Sequence, residues 1–333
     1  MSQFVQPTNA ADLEAFCSLP GLSPLHPETI ARQRPDAQWM LRTTKGTVVA
    51  RCSLWWSDLP EHEGQRLGYL GHYAACDSPS AAELLDRACA QLTQHCTLAV
   101  APIDGNTWNR YRLLTERGTE PPFFLEPDNP DEWPAHFTSN GFTPLANYYS
   151  ALNEDLRRSD PRTEEMMRHL TDRGIRLRCL NLDRFESELR ALWRLALASF
   201  QQNFLYSPIS EEDFLAQYLP LRPHLRPELV LIAEKESKPI GFMLGVPDLY
   251  QSRRGRAVDT VILKTVAVDP EQAGGGLGTL LIAHCQDKAA QLGYKRAVHA
   301  LMYEANRSRR ISSHTAQTIR RYTLFARPLE VRP

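Results

Sequence analysis

The sequence predicts an α/β chain with a mixed sheet, arranged as two related modules in tandem. Three observations carry this. Apolar, β-branched runs alternate with amphipathic helical stretches along the whole chain. The order of these elements repeats between the first and second halves. In the second half, the β-branched run Val261 to Val268 ends in Asp269-Pro270 and passes through four glycines in five positions before becoming helical.

Residues 1–35 read as a helix-containing lead-in rich in Pro and Leu. Trp39 to Trp56 is a hairpin about a Lys45-Gly46 turn, and Arg66 to Ala75 is a further strand. Cys76-Asp-Ser-Pro-Ser80 leads into an Ala/Leu-rich helix from Ala81 to about Thr93, followed by a short buried strand, Leu98 to Ile103. A proline-rich loop, Glu120 to Pro134, precedes a strand closing near Ala151. The charged helical stretch from Asn153 to Arg173 reads as a joint.

The second half begins with the alternating strand Ile175 to Leu180, then a long helix to Phe200 for which Asp183 is the expected cap. Ser210 opens a second helix, and Leu229 to Val246 forms a hairpin around Lys235 to Lys238. The glycine-rich stretch follows, then a helix from Thr279 to Leu292, a strand from Arg296 to Met302, a short helix from Asn306 to about Thr315, and a last strand, Ile319 to Phe325.

With 333 residues the chain is long enough for two domains with sizeable cores. A hydrophobic content of 42% excludes a disordered chain, and a formal net charge of −1 argues against nucleic acid as the main partner. Arg320-Arg321 reads as a solvated face. Cysteines 17, 52, 76, 89, 96, 179 and 285 are odd in number and form no C-x-x-C pair. Free thiols in a reducing cytosol are therefore expected, with neither a disulfide framework nor a metal site. The N-terminus does not read as a signal peptide, and no apolar run nears the ~18 residues that cross a bilayer. A cytoplasmic protein without a membrane partner is expected.

Strand, glycine turn and helix start together gather backbone N–H groups around one point, which makes an anion site. A P-loop is excluded because no Lys-Ser/Thr follows the glycines, and a Rossmann fingerprint fails on glycine spacing and on the missing acidic residue downstream. Val266-Ala-Val268-Asp-Pro270 followed by Gly274-x-Gly276-x-Gly278 resembles the acyl-CoA-binding motif of the GNAT acetyltransferase superfamily, usually R/Q-x-x-G-x-G/A. Here Ala273 stands in the basic or amide position, with Gln272 one place early, which weakens the contact to the pyrophosphate. The resemblance covers residues 175–333, whose β-α-α-β-β-β-α-β-α-β order is that of the superfamily.

The first half repeats this order in reduced form, with Ser78-Pro79-Ser80 in place of the glycines. Proline has no N–H to donate, so that loop is a poor anion site. The expected domains are a degenerate GNAT-like module at 1–152, a helical joint at 153–174 and an acetyl-CoA-binding GNAT domain at 175–333.

The resemblance implies acetyl-CoA as acyl donor and direct attack by a primary amine in a ternary complex. It implies that the strand through Val266, Ala267 and Val268 splays from its neighbour to hold the pantetheine arm. The amides of Gln272, Ala273, Gly274, Gly275, Gly276, Leu277, Gly278 and Thr279 would hold the pyrophosphate. Asn306 matches the asparagine that contacts CoA, with Arg309 beside it in the cofactor-binding set; a plain helix cap is its other role. An aliphatic ammonium with a pKa of about 10 must lose a proton before attack. Candidates for acid and base are His314 (beside Ser313, where the family often has a tyrosine), Tyr322, Asp259 and Glu304. Asn203, Phe204, Tyr206 and Phe242 would line the acceptor pocket. His72, Asp104, Asn106 and Trp108 form a polar cluster in the first half.

The sequence thus predicts an N-acetyltransferase acting on an amine of a small molecule or peptide, as a monomer or homodimer. The alternatives are a catalytically silent acyl-CoA-binding regulator and an acyltransferase for longer chains.

Overall fold

The computed structural model describes residues 2–19, 24–157, 163–272, 275–305 and 316–330. The first half runs β1 (Gln3–Val5), α1 (Ala10–Cys17), α2 (Pro27–Gln33), β2 (Ala37–Arg42), β3 (Val48–Trp55), β4 (Leu67–Ala75), α3 (Ser78–Leu92), β5 (Leu98–Ala101), β6 (Leu113–Glu116), α4 (Trp133–Thr138) and β7 (Thr143–Asn153). The second runs α5 (Thr163–Asp172), β8 (Ile175–Cys179), α6 (Phe185–Phe200), α7 (Glu211–Tyr218), β9 (Val230–Lys235), β10 (Lys238–Pro247), α8 (Leu249–Arg253), β11 (Thr260–Val268), α9 (Leu277–Gln291), β12 (Arg296–Tyr303) and β13 (Gln317–Pro328). The hairpins and the helices α3, α6, α7 and α9 lie where the sequence places them, while the helical stretch expected from Asn153 is helix over Thr163–Asp172. The short elements β6, α4 and α8 are additions. The expected helix at 306–315 falls outside the described residues.

Among the described residues, thirteen strands share one mixed sheet, ordered β1-β2-β3-β4-β5-β13-β7-β12-β11-β10-β9-β8, with β6 against β13. The order reveals an exchange. The last strand of the chain, β13, pairs with β5 of the first half, while β7 of the first half pairs with β12 of the second. β7 and β13 then pair with each other along almost their whole length, Thr143↔Ala326 to Leu152↔Gln317. The two halves are joined by backbone hydrogen bonds at the centre of a continuous sheet.

Period-two alternation sorts the second half into layers. Leu231, Ala233, Met243, Val261 and Leu263 turn to one face, under α9 and α5. Val230, Ile232, Phe242, Leu244 and Ile262 turn to the other, under α6 and α7. Both faces are covered, which is why these strands read as unbroken apolar runs. Phe242 is accordingly core, 5% exposed, and does not line an acceptor pocket.

The caps are local in origin. Ser210 accepts from the Asp213 N–H at the start of α7, as expected. At the start of the long helix, Asn181 and not Asp183 is the cap: its side chain accepts from the Asp183 N–H and opens a 3₁₀ turn that runs into α6. No helix among the described residues is long and apolar enough to cross a membrane.

Candidate functional site

β11 and β12 run parallel, in register from Thr260↔Arg296 to Leu263↔His299, and then part. Two irregularities produce the divergence. Against β10, the register of β11 shifts between Leu244↔Thr265 and Gly245↔Leu263, leaving Lys264 as an extra, bulged residue. Against β7, β12 slips between His299 and Met302, where Leu301 takes a left-handed conformation (φ 59°) and its N–H is taken by Ser150 Oγ at 3.0 Å. Bulges bend strands and re-aim side chains. Here they open a V between two neighbouring strands.

The open edge of β11 keeps backbone donors. Asp269 N–H bonds Ile240 O, so alternation turns the amide of Ala267 to β10 and those of Val266 and Val268 to the V. Ser199 Oγ accepts the Val268 N–H at 3.1 Å, leaving Val266 as the donor nearest the bulge. Ala267 is thus unavailable to a ligand.

Beyond β11, the chain turns through Pro270–Gln272 to α9. Ala273 and Gly274 lie outside the described residues. Gly276 occupies the N-cap position at φ 77° and supplies no side-chain cap, so the first N–H groups of α9 stay bare. Gly278 has an ordinary φ, and a methyl group there would meet nothing closer than Val268 Cγ2 at 3.6 Å. Among the described residues, none comes closer to the space its missing side chain leaves. Leu277 is 2% exposed and packs into the core, so it offers backbone only, while Thr279 is partly buried. Arg173 lies over this loop, its Nη1 2.9 Å from where a Gly275 Cβ would stand. A basic group therefore reaches the loop from the turn after α5, although position 273 lacks one. A bare helix start, glycines and a guanidinium suit a pyrophosphate.

The first half lacks these features. There α3 is capped by Asp77, whose carboxylate accepts from the Ser80 N–H, so its anion site is filled by its own side chain. Between β4 and β5 the V is closed: Ile103 N–H bonds Leu70 O, and Asp104 Oδ1 accepts the His72 N–H at 2.6 Å. A methyl group on Gly71 would stand 2.2 Å from Ile103 O. Of the polar cluster expected here, His72 bonds Ser53 and Gln33, and Asn106 accepts from the Trp108 N–H. A cavity of about 360 Å³ near His72 is lined also by Arg51, Asp104 and Arg110.

The V opens into a larger cavity of about 760 Å³, walled by both halves. Asn203, Phe204 and Tyr206 line it, as does Trp108, whose Nε1–H bonds Ser207 O at 2.8 Å. From the strands come Lys264, Val266 and Tyr303, and from the first half Arg112, Glu126 and Tyr148.

Two groups in this cavity were not among the sequence candidates. The side chain of Glu126 is 2% exposed; Oε1 accepts from Arg320 Nε at 3.0 Å and from Tyr322 Oη at 2.6 Å. Burial raises its pKa above the usual carboxylate range, against the pull of Tyr322 and Arg320. Lys264 has its pKa pushed down to about 7, by burial first and then by Arg112, with Glu126 opposing. A lysine in the middle of an apolar run was its only trace in the sequence; Glu126 left none, since it comes from a loop of the other half.

The catalytic candidates fare differently. Tyr322 is fully buried and its hydroxyl serves Glu126 and Ser150, so it does not face the cavity directly. Asp259 sits at the opposite end of β11 from the V, bonded by Gln251 Nε2 at 2.8 Å. The carboxylate of Glu304 is held by Arg321 and is not on the cavity wall. His314, Asn306 and Arg309 lie outside the described residues. Among the described residues, no cluster of His, Cys, Asp or Glu is placed to hold a metal ion.

Comparison with known proteins agrees with this geometry. Residues 189–310 match the acetyltransferase (GNAT) family model. The chain is 25% identical over 269 residues to Protein YghO of Escherichia coli (strain K12), covering 73% of this chain and 68% of that one. Among solved structures, a tandem GNAT protein from the clavulanic acid biosynthesis pathway superposes with a TM-score of 0.51 at 12% identity, covering 100% of both chains. A fungal multi-domain GH3 β-N-acetylglucosaminidase with a GCN5-related glucosamine N-acetyltransferase region gives 0.54 at 15% identity; the match covers 98% of this chain and 38% of that one. Residues 189–310 thus resemble the acetyltransferase (GNAT) family, within a chain whose fold is like that of a tandem GNAT protein.

Proposed function

We propose that the chain transfers the acetyl group of acetyl-CoA to a primary amine bound in the cavity between its halves, with residues 1–152 as a module that has lost its own cofactor site, 153–174 as a joint and 175–333 as the cofactor-binding module. One observation carries this reading. The open edge of β11, the bare start of α9 and the shared cavity meet at a single V, while the same place in the first half is closed by Asp77 and Asp104. Pyrophosphate on the α9 start and pantetheine along Val266 and Val268 would deliver the thioester to Lys264 and Glu126.

The chemistry then needs position, charge stabilisation and proton transfers from the nitrogen and to the leaving thiolate. The acceptor ammonium gives a proton to Glu126, whose raised pKa makes it a better base than a solvated carboxylate. The amine attacks the thioester carbon, and the Val266 N–H is placed for the oxyanion that develops. The C–N bond forms, the C–S bond breaks, the nitrogen gives up its second proton to water, and CoA leaves as a thiolate that takes a proton from solvent. The products are an acetamide, CoA and one proton. Tyr322 and Arg320 hold the Glu126 carboxylate in place.

Calorimetric titration with acetyl-CoA followed by amine-dependent release of free thiol tests the proposal. One site per chain and amine-stimulated thiol release are expected. Two sites would restore the first module as a cofactor site. Binding without release in any amine would leave a silent acyl-CoA-binding protein.

A further inference from the structure

The cavity is unevenly charged. Among the described residues its lining holds Arg110, Arg112 and Lys264 against one carboxylate, Glu126. Glu126 is already paired with Arg320, and Arg110 lies at the exposed rim, donating to Asp128 O at 2.7 Å. Arg112 and Lys264 are left over.

Both are set with care. Arg112 is 5% exposed and has a left-handed backbone (φ 68°). Its guanidinium lies 4.1 Å from the Tyr111 ring centre and 4.2 Å from that of Tyr148. Its Nη1 donates to Tyr111 Oη at 2.8 Å, but its Nε is buried without a hydrogen-bond partner. Lys264, on the bulge of β11, has no hydrogen bond or ion pair among the described residues, and the charges of Arg112 and Glu126 both act on it. The cations of the lining outnumber its single carboxylate, which Arg320 already pairs, and a bound anion offsets that excess. A guanidinium held between two rings presents a fixed edge, which suits a planar carboxylate.

We infer that Arg112 and Lys264 form a carboxylate-binding subsite in the shared cavity, so that the acceptor is an amino acid or a related amine bearing a carboxylate. Naming the carboxylate's carrier as the acceptor rests on the acetyl-transfer reading; the subsite itself does not. The same carboxylate can arrive on the acyl chain of a dicarboxylic acyl-CoA, and the experiment separates these sources.

Calorimetry would compare ligands that differ only in the carboxylate: alanine, phenylalanine and methionine, each beside its α-carboxamide with CoA present, and succinyl-CoA beside acetyl-CoA. Wild type, Lys264→Met and Arg112→Lys would each be titrated. Lys264→Met keeps length without charge at a partly exposed bulge, so it remains informative where the buried Arg112→Lys does not fold. At least one carboxylate should bind wild type about ten- to a hundredfold more tightly than its neutral partner, and Lys264→Met should lose most of that preference. Preference among the amino acids assigns the carboxylate to the acceptor; preference for succinyl-CoA assigns it to the donor. Equal affinity within every pair, or a preference that Lys264→Met leaves unchanged, overturns the subsite. Since binding alone is read, a failure of amine-dependent thiol release beside an intact preference would reject only the acetyl-transfer reading.

Discussion

Tyr322 Oη donates to Glu126 Oε1 at 2.6 Å, joining the last strand of the chain to a loop of the first half beneath the shared cavity. The buried Arg320, two residues earlier on the same strand, bonds that carboxylate too, along with the carbonyls of Arg117 and Glu120. The candidate base of the second module is thus a residue of the first, fixed by a strand of the second.

Glu126→Gln should lower turnover by about 10²- to 10⁴-fold, the usual contribution of a general base, with acetyl-CoA affinity within about twofold of wild type. Arg320 would lose its ionic partner in the interior, so the melting temperature should fall as well. In wild type the rate should decline as pH is lowered through the raised pKa of Glu126. Steady-state kinetics with a calorimetric check of cofactor binding decides this; unchanged turnover would move the base elsewhere.

Lys264 should leave a signature in stability against pH. Its folded pKa, about 7, lies below that of the unfolded chain, so its contribution to stability is fully present above ~10.4 and is lost as pH falls through about 7. Lys264→Met should therefore be more stable than wild type at pH 6, and the gap should narrow as pH rises from 7 towards 10. Arg112 and Glu126 are the charges acting on this ammonium, so the comparison should be repeated in Glu126→Gln, where the gap at pH 6 should widen. Urea unfolding across that range measures it; a constant gap would remove the depressed pKa.

Gly278→Ala separates cofactor binding from folding. The position has an ordinary φ and room for a methyl group, and alanine is the better helix former by roughly 1 kcal/mol. Thermal stability should hold or rise, while acetyl-CoA affinity should fall about tenfold or more because the methyl group occupies the phosphate approach. Unchanged affinity would place the pyrophosphate elsewhere.

Arg173→Ala should weaken acetyl-CoA binding by about three- to tenfold, as expected for one exposed, salt-screened charge contact. S-acetylpantetheine, which carries no pyrophosphate, should bind both proteins alike. An equal loss with both ligands would show that Arg173 supports the loop's shape instead.

Much of the fold could be read from residue patterns, because strands buried on both faces and capped helices write themselves locally: the Lys45-Gly46 hairpin, the Ser210 cap and the glycine turn all fell in place. The site was legible only where it is local too. The loop after Val268 was visible as a motif, and Asn203, Phe204 and Tyr206 as a loop between helices. Glu126 and Arg112 were not, since they reach the cavity only through the pairing of distant strands. Lys264 was passed over because a bulge is a property of two strands and not of one. Asp259 and Glu304 were plausible by chain position, but Gln251 and Arg321 occupy their carboxylates.

The exchange of β7 and β13 has a consequence for biosynthesis. While the ribosome is still making the second half, the first half has a sheet whose β5 edge awaits residues 317–328 and a β7 that awaits β12 and β13. Unpaired edges of this kind recruit other chains. The nascent protein therefore has to keep its first half from premature association, by chaperone cover or by delayed closure, until residues 317–328 emerge and lock both halves at once.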